Sequence, residues 1–106
     1  MTIHIQTPGF TASAPLMNYV KERIEKLGRF SGEIISAEVL LRQQRSDTGS
    51  DKLCELRMVM PGDDLLAGAQ CKTFEEAVAK GAELIKGQIN RKKTKLMATR
   101  NDRILL

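Results

Sequence analysis

The chain has 106 residues, 42% of them hydrophobic and 28% charged, which describes one ordinary folded domain and excludes both a second domain and a disordered polymer. Its net charge of +4 averages two unlike parts: residues 86–103 hold seven of the seventeen basic residues and one acid, Asp102, and the remainder holds ten bases against twelve acids. No apolar run approaches membrane-spanning length and the opening MTIHIQT has no basic region followed by an apolar core, so neither anchor nor signal peptide is read and a cytoplasmic location is expected.

Residues 2–7 alternate, with Ile3 and Ile5 on one side and Thr2, His4 and Gln6 on the other, the period of a half-buried strand. Pro8-Gly9 ends it. Ser13 as N-cap, with Pro15 in the first turn, opens a helix to about Arg29. Leu16, Val20, Ile24 and Leu27 form its core-facing stripe, with Met17 and Tyr19 at the borders and Lys21, Arg23, Lys26 and Arg29 on the remaining surface. A turn at Gly32 leads to a second strand over residues 34–44, which sets Ala37, Val39 and Leu41 against Glu38, Leu40 and Arg42 and dissolves into a polar loop over 45–51.

Residues 53–60 place Cys54, Leu56, Met58 and Met60 on one face and Glu55, Arg57 and Val59 on the other. Pro61-Gly62-Asp63-Asp64 reads as a four-residue hairpin turn into a fourth strand with Leu65, Ala67, Ala69 and Cys71 on its apolar side. Such a turn pairs Met60 with Leu65 and puts Cys54 opposite Cys71, so a cross-strand disulfide is conceivable; two reduced core thiols are the expectation for a cytosolic protein. Thr73-Phe74-Glu75-Glu76 is a capping box that opens a second helix reaching about Leu96, with Phe74, Val78, Gly81, Ile85 and Ile89 as its buried stripe. Gly81 is expected to admit close approach of helix or sheet backbone, although a local weakening of the helix is equally consistent. Lys93 continues the stripe, its stem placed to snorkel along the core edge, and Arg91 and Lys95 share a more exposed face.

The resulting order, β-α-β-β-β-α, implies an α+β fold of two layers: a right-handed βαβ crossover followed by an antiparallel meander, giving a four-stranded sheet with both helices on one face. The domain is expected to span residues 1–96, with 97–106 a flexible C-terminal tail.

Chemistry is sparse. His4 is the only histidine, mid-strand on the polar side, with no second histidine for a metal pair and no partner to orient it as a base. Cys54 and Cys71 point to the core and are too far apart for a zinc cluster or CxxC motif, and Asp63 and Asp64 belong to a turn. No phosphate-cradling or nucleophile-elbow motif occurs. An enzyme is therefore disfavoured, and no catalytic residue, metal, cofactor or small-molecule substrate is expected. What stands out is cationic: Lys26 and Arg29 close the first helix, and Arg91, Lys92, Lys93 and Lys95 close the second. The two ends form one surface if the helices pack side by side, an orientation the sequence leaves open. Arg42, Arg45 and Arg57 either extend that surface or are solvated, and the charge run itself also suits a plain helix end that favours its macrodipole. With only Phe10, Tyr19, Phe30 and Phe74 as aromatics, base stacking is disfavoured, which points to a reader of RNA shape and phosphates rather than of DNA sequence.

The chain resembles the ribosome hibernation-promoting factors, also called ribosome-associated inhibitor or sigma-54 modulation proteins, over roughly residues 2–96. The resemblance is carried by LMNYVKERIEKLGRF at 16–30, LLAGA at 65–69 and QINRKKTKL at 88–96, in that order and spacing. It implies a fold similar to the one above and to a double-stranded-RNA-binding domain. It also implies binding to the small ribosomal subunit and its rRNA, in the channel where tRNA and mRNA sit, and silencing of translation in stationary phase or stress. The family's basic positions map onto Lys26, onto Arg42 and Arg45 leaving the second strand, and onto Arg91, Lys93 and Lys95. The chain departs from the family where an aromatic residue and an Asp are common, at Glu75 and Ala79, and where a basic residue is common, at Gly87. The long forms' C-terminal dimerisation domain has no counterpart here, so ribosome pairing through it is not expected. An alternative class is a protein-interaction module that modulates sigma-54-dependent transcription, as the family's other name suggests.

Overall fold

A computed structural model describes the backbone of residues 1–105 and the side chains of residues 1–93. Its elements follow the expected order: β1 (Thr2–Gln6), α1 (Ala14–Phe30), β2 (Ser36–Gln43), β3 (Lys52–Val59), β4 (Leu65–Cys71) and α2 (Phe74–Leu105). The strands lie side by side in chain order. β1 pairs with β2 in parallel across the α1 connection, and β2, β3 and β4 form an antiparallel meander. α2 runs on to Leu105, past the Leu96 at which the sequence was expected to end it, and the side chains of residues 94–106 lie outside the described residues.

Local chemistry sets the boundaries. The Ser13 hydroxyl accepts from the Leu16 amide at 3.3 Å and Pro15 occupies the first turn, so two of the determinants of helix entry are present in α1. Thr73 does the same for α2, its hydroxyl accepting from the Glu76 amide at 3.1 Å, while Glu75 and Glu76 place negative charge in the first turn.

Both helices lie on one face of the sheet, and the core between the layers comes from the apolar stripes. Val20 and Ile24 of α1, Val78, Ile85 and Ile89 of α2, and Val39, Leu41, Leu56 and Met58 of the sheet are all buried there. Gly81 belongs to this layer: a Cβ at that position would meet the Leu56 Cδ1 at 3.0 Å and the Cys54 Sγ at 4.0 Å. Its bare backbone therefore lets α2 sit close on side chains of β3, not on strand or helix backbone.

The β3–β4 register differs from the four-residue turn expected from the sequence. Met58, not Met60, pairs with Leu65, and Cys54 stands opposite Ala69 while Lys52 stands opposite Cys71. Residues 59–64 all leave the β3–β4 ladder, Val59 staying paired with Ser36 of β2, and two interactions hold this wider loop. Met60 turns inward and is 96% buried, with 4% of its surface exposed, and the Asp64 carboxylate accepts two hydrogen bonds from the Arg57 guanidinium at 2.9 and 2.7 Å. Gly62, at φ 88°, supplies the left-handed residue the loop needs. A slip of two residues keeps every side chain on its expected face, so the core is as read while the pairing is not. Both cysteines are free. Cys54 is wholly buried, and burial first, with the charge of Glu55 second, pushes its thiol up to about 12 from an ordinary 9.0.

Candidate nucleic-acid interface

The two helices run in the same direction. Arg23 of α1 reaches α2 at Ala79, whose carbonyl accepts from its guanidinium at 3.5 Å, and approaches Glu83 at 3.9 Å. One turn or two further on, Phe30 of α1 meets Lys86 and Lys93 of α2. The C-terminal end of α1 thus lies beside the basic part of α2, and the side-by-side arrangement left open by the sequence is present.

That contact is built around one ring. The Lys93 ammonium stands 4.6 Å from the Phe30 centroid and donates to the Phe30 carbonyl at 3.3 Å, and the Lys86 ammonium stands 5.2 Å from the same ring. Lys93 therefore ties α2 to the last carbonyl of α1, following the snorkelling path expected of its stem. Beside it the helices enclose a groove of about 420 Å³ lined by Arg23, Lys26, Arg29, Phe30, Glu83 and Lys86. Lys92 turns the other way and donates to the Pro61 carbonyl at 3.4 Å, fixing α2 to the β3–β4 loop. Gln88 donates to the Leu66 carbonyl on strand β4 at 2.8 Å.

The residues expected at the interface do not all gather here. Lys26 is exposed at the groove, and Arg91 and Lys93 are exposed on the same stretch of α2. The Lys95 side chain lies outside the described residues. Arg42 and Arg45 are exposed at the other end of the sheet: Arg42 stands opposite Leu53, next to Lys52, whose ammonium covers the Phe74 ring at the start of α2. The eight residues of β3, Lys52 to Val59, put the two ends roughly 23 Å apart at about 3.3 Å per residue. The expectation omitted Arg23 and Lys86 from the site. Each sits one position from a buried stripe residue, Ile24 and Ile85, and that adjacency places a side chain at a helix–helix seam.

The opposite face of the sheet is of a different kind. His4, Glu38 and Arg57 lie in one row across β1, β2 and β3, with Leu66 of β4 beside them. Arg57 is neutralised by Asp64 at 2.7 Å and by Glu38 at 3.5 Å. The Asp64 hydrogen bond is the main cause that raises the Arg57 pKa, and the same hydrogen bond holds the Asp64 carboxyl below its ordinary value. Among the described residues no group of three or more His, Cys, Asp or Glu side chains is placed to hold a metal ion. No described helix is long and apolar enough to cross a membrane.

Comparison with known proteins adds the family context. The family model described as sigma 54 modulation protein / S30EA ribosomal protein matches residues 3–97. A ribosomal subunit interface protein from Coxiella burnetii superposes with a TM-score of 0.78 at 16% identity, over 89% of this chain and 99% of that one. The N-terminal domain of Protein Y from Thermus thermophilus superposes with a TM-score of 0.73 at 17% identity, over 86% of this chain and 98% of that one. At those identities the likeness is one of fold. No curated protein matches the sequence.

Proposed function

Because the chain belongs to the sigma 54 modulation protein / S30EA ribosomal protein family, we propose that it is a ribosome-binding hibernation factor that acts by occupancy. It grips the rRNA of the small subunit with its helix edge and fills the channel that tRNA and mRNA require, in the cytoplasm of cells in stationary phase or under stress. The observation that carries this reading is the convergence of Lys26, Arg29, Lys86 and Lys93 at the α1–α2 contact, in a chain whose family and one of whose structural neighbours are named for the ribosome.

The mechanism is electrostatic. Cations held on two packed helices present a fixed pattern to RNA phosphates, and displacing the condensed counterions drives association that weakens steeply with salt. Lys26, Arg91, Lys93 and Lys95 form the primary foothold in this reading. Arg42 and Arg45, at the far end of the sheet, form a second contact with the same extended RNA surface. No bond is made or broken, so the protein needs no cofactor.

Co-sedimentation with purified small subunits at increasing salt tests the reading. Association at low salt that is lost at high salt is expected, and its absence at low salt would sink the proposal. Undiminished binding after combined Lys26→Ala, Arg91→Ala and Lys93→Ala changes would sink the site assignment. A stable complex with a transcription protein in RNA-free extract would favour the sigma-54 alternative instead.

A further inference from the structure

The groove between α1 and α2 is more cationic than a contact with one RNA phosphate requires. Arg23, Lys26, Arg29 and Lys86 line it against a single acid, Glu83, so its walls carry a net charge of +3. A backbone phosphodiester brings only about one negative charge. A terminal phosphoryl group carries about 1.5 to 2 at neutral pH and an inner one about one, so a chain of two or more brings about three negative charges and matches the walls. The space, about 420 Å³, falls within the size of small-ligand pockets and not of a duplex groove.

Arg23 supplies the second observation. Its Nε is buried and makes no hydrogen bond, its bond to the Ala79 carbonyl is long at 3.5 Å, and Glu83 is 3.9 Å away. A guanidinium with a shielded donor left unpaired gains by turning toward an anion that accepts from two of its nitrogens. Lys86 stands at the opposite wall with its ammonium over the Phe30 ring, 5.2 Å from the centroid, and so is held facing the groove.

We propose that this groove binds a free phosphate chain of two or more phosphoryl groups, either inorganic polyphosphate or the 5′-polyphosphate of a nucleotide. Arg23 and Lys86 clamp the chain from the two helices, and Lys26 and Arg29 neutralise its outer end. The chain then competes with RNA for Lys26 and Lys86. That consequence rests on the ribosome reading, whereas binding of the chain does not.

Calorimetric titration at low salt with inorganic tripolyphosphate, a nucleoside 5′-triphosphate and orthophosphate tests the proposal on the full chain. One tripolyphosphate per chain is expected, at least about tenfold tighter than orthophosphate, the difference of one further charged hydrogen bond. Lys86→Gln, on an exposed position, and Arg23→Gln are each expected to weaken it about tenfold. Lys72→Gln removes an equal charge at the other end of α2 and is expected to leave affinity within about twofold, the effect of screened charge at that distance. Non-saturating binding, or equal losses in Lys72→Gln and Lys86→Gln, overturns the proposal. Equal affinities for tripolyphosphate and the nucleotide assign recognition to the phosphate chain alone, and tighter nucleotide binding assigns it to nucleotides. Co-sedimentation of the same samples separates the two readings: intact ribosome binding without tripolyphosphate binding overturns the groove site and leaves the hibernation reading standing. Tripolyphosphate binding without ribosome binding does the reverse.

Discussion

At the end of the molecule where α1 terminates, Lys26, Arg29, Lys86 and Lys93 crowd about one ring and one groove, whereas at the opposite end Arg42 and Arg45 stand on a strand end and a polar loop. Each of these side chains carries the same single charge, and the settings differ. The first group is carried by two helices locked together through their buried stripes, so its members hold fixed positions and add their fields. Around Arg45 the loop satisfies itself: Gln44 donates to the Asp51 carbonyl at 2.7 Å, and the Ser46 amide donates to the Asp51 carboxylate at 3.0 Å. Arg57 is a third case, a cation spent on Asp64 and Glu38 within its own sheet face. The number of basic residues therefore says less about a polyanion site than which of them share a rigid edge with few acids.

Charge reversal gives the largest test of that comparison. Lys26→Glu with Lys86→Glu is expected to weaken small-subunit co-sedimentation by about a hundredfold or more, since each lost phosphate contact becomes a repulsion. Arg42→Glu with Arg45→Glu should cost only several-fold in the same assay. Equal losses would break the comparison.

The two ends also differ in their response to pH. Near the far end, Cys54 has its folded pKa raised from 9.0 to about 12, so its contribution to stability is complete below pH 9 and is lost as pH rises toward 12. The unfolded chain releases the thiol proton there and the folded chain does not, which lowers stability by about 1.4 kcal/mol per pH unit. Chemical denaturation of wild type against Cys54→Ala between pH 8 and pH 10.5 measures it, and the difference between the two should shrink with rising pH. At the other end, the lowered pKa of Asp64 has the opposite sign: its contribution is present above the ordinary 3.8 and is lost as pH falls below it through the folded value. That pair lies at the surface, so Asp64→Asn should shift the midpoint only slightly at pH 7, and the shift should shrink as pH falls below 3.8.

Lys93→Ala falls between these effects. It removes the ammonium from the Phe30 carbonyl and ring, and about 1 kcal/mol or less is expected, read as a lower thermal midpoint. Lys93→Met, which keeps the stem, should recover part of it. A Lys93→Ala protein that keeps its stability and loses only ribosome binding would show the residue serving RNA alone.

Element order and the facing of every strand were legible in the sequence, because periods of two and of 3.6 depend only on which side chains must leave water. The helix starts at Ser13 and Thr73 were legible for a similarly local reason. The β3–β4 register was not. A turn of four residues and a loop of six leave the same faces buried, Met60 inward in both, and the Arg57–Asp64 pair is the contact that favours the wider loop. The placement of the expected cations was legible in part: Lys26 of α1 lies at the groove between the helices and Lys93 of α2 at the Phe30 ring beside it. Arg23 and Lys86 escaped notice because a groove wall depends on how two helices pack, and that information is spread over the whole core.

Gln88 has a consequence beyond docking α2. β4 lies at the edge of the sheet, where unpaired carbonyls invite another molecule's strand, and the Gln88 amide occupies the Leu66 carbonyl at 2.8 Å. Leu66 itself is 64% exposed, so this is the stretch of edge where apolar surface and a free backbone acceptor would otherwise coincide. A side chain from the helix that carries the cationic edge thus also protects the protein from strand-to-strand polymerisation.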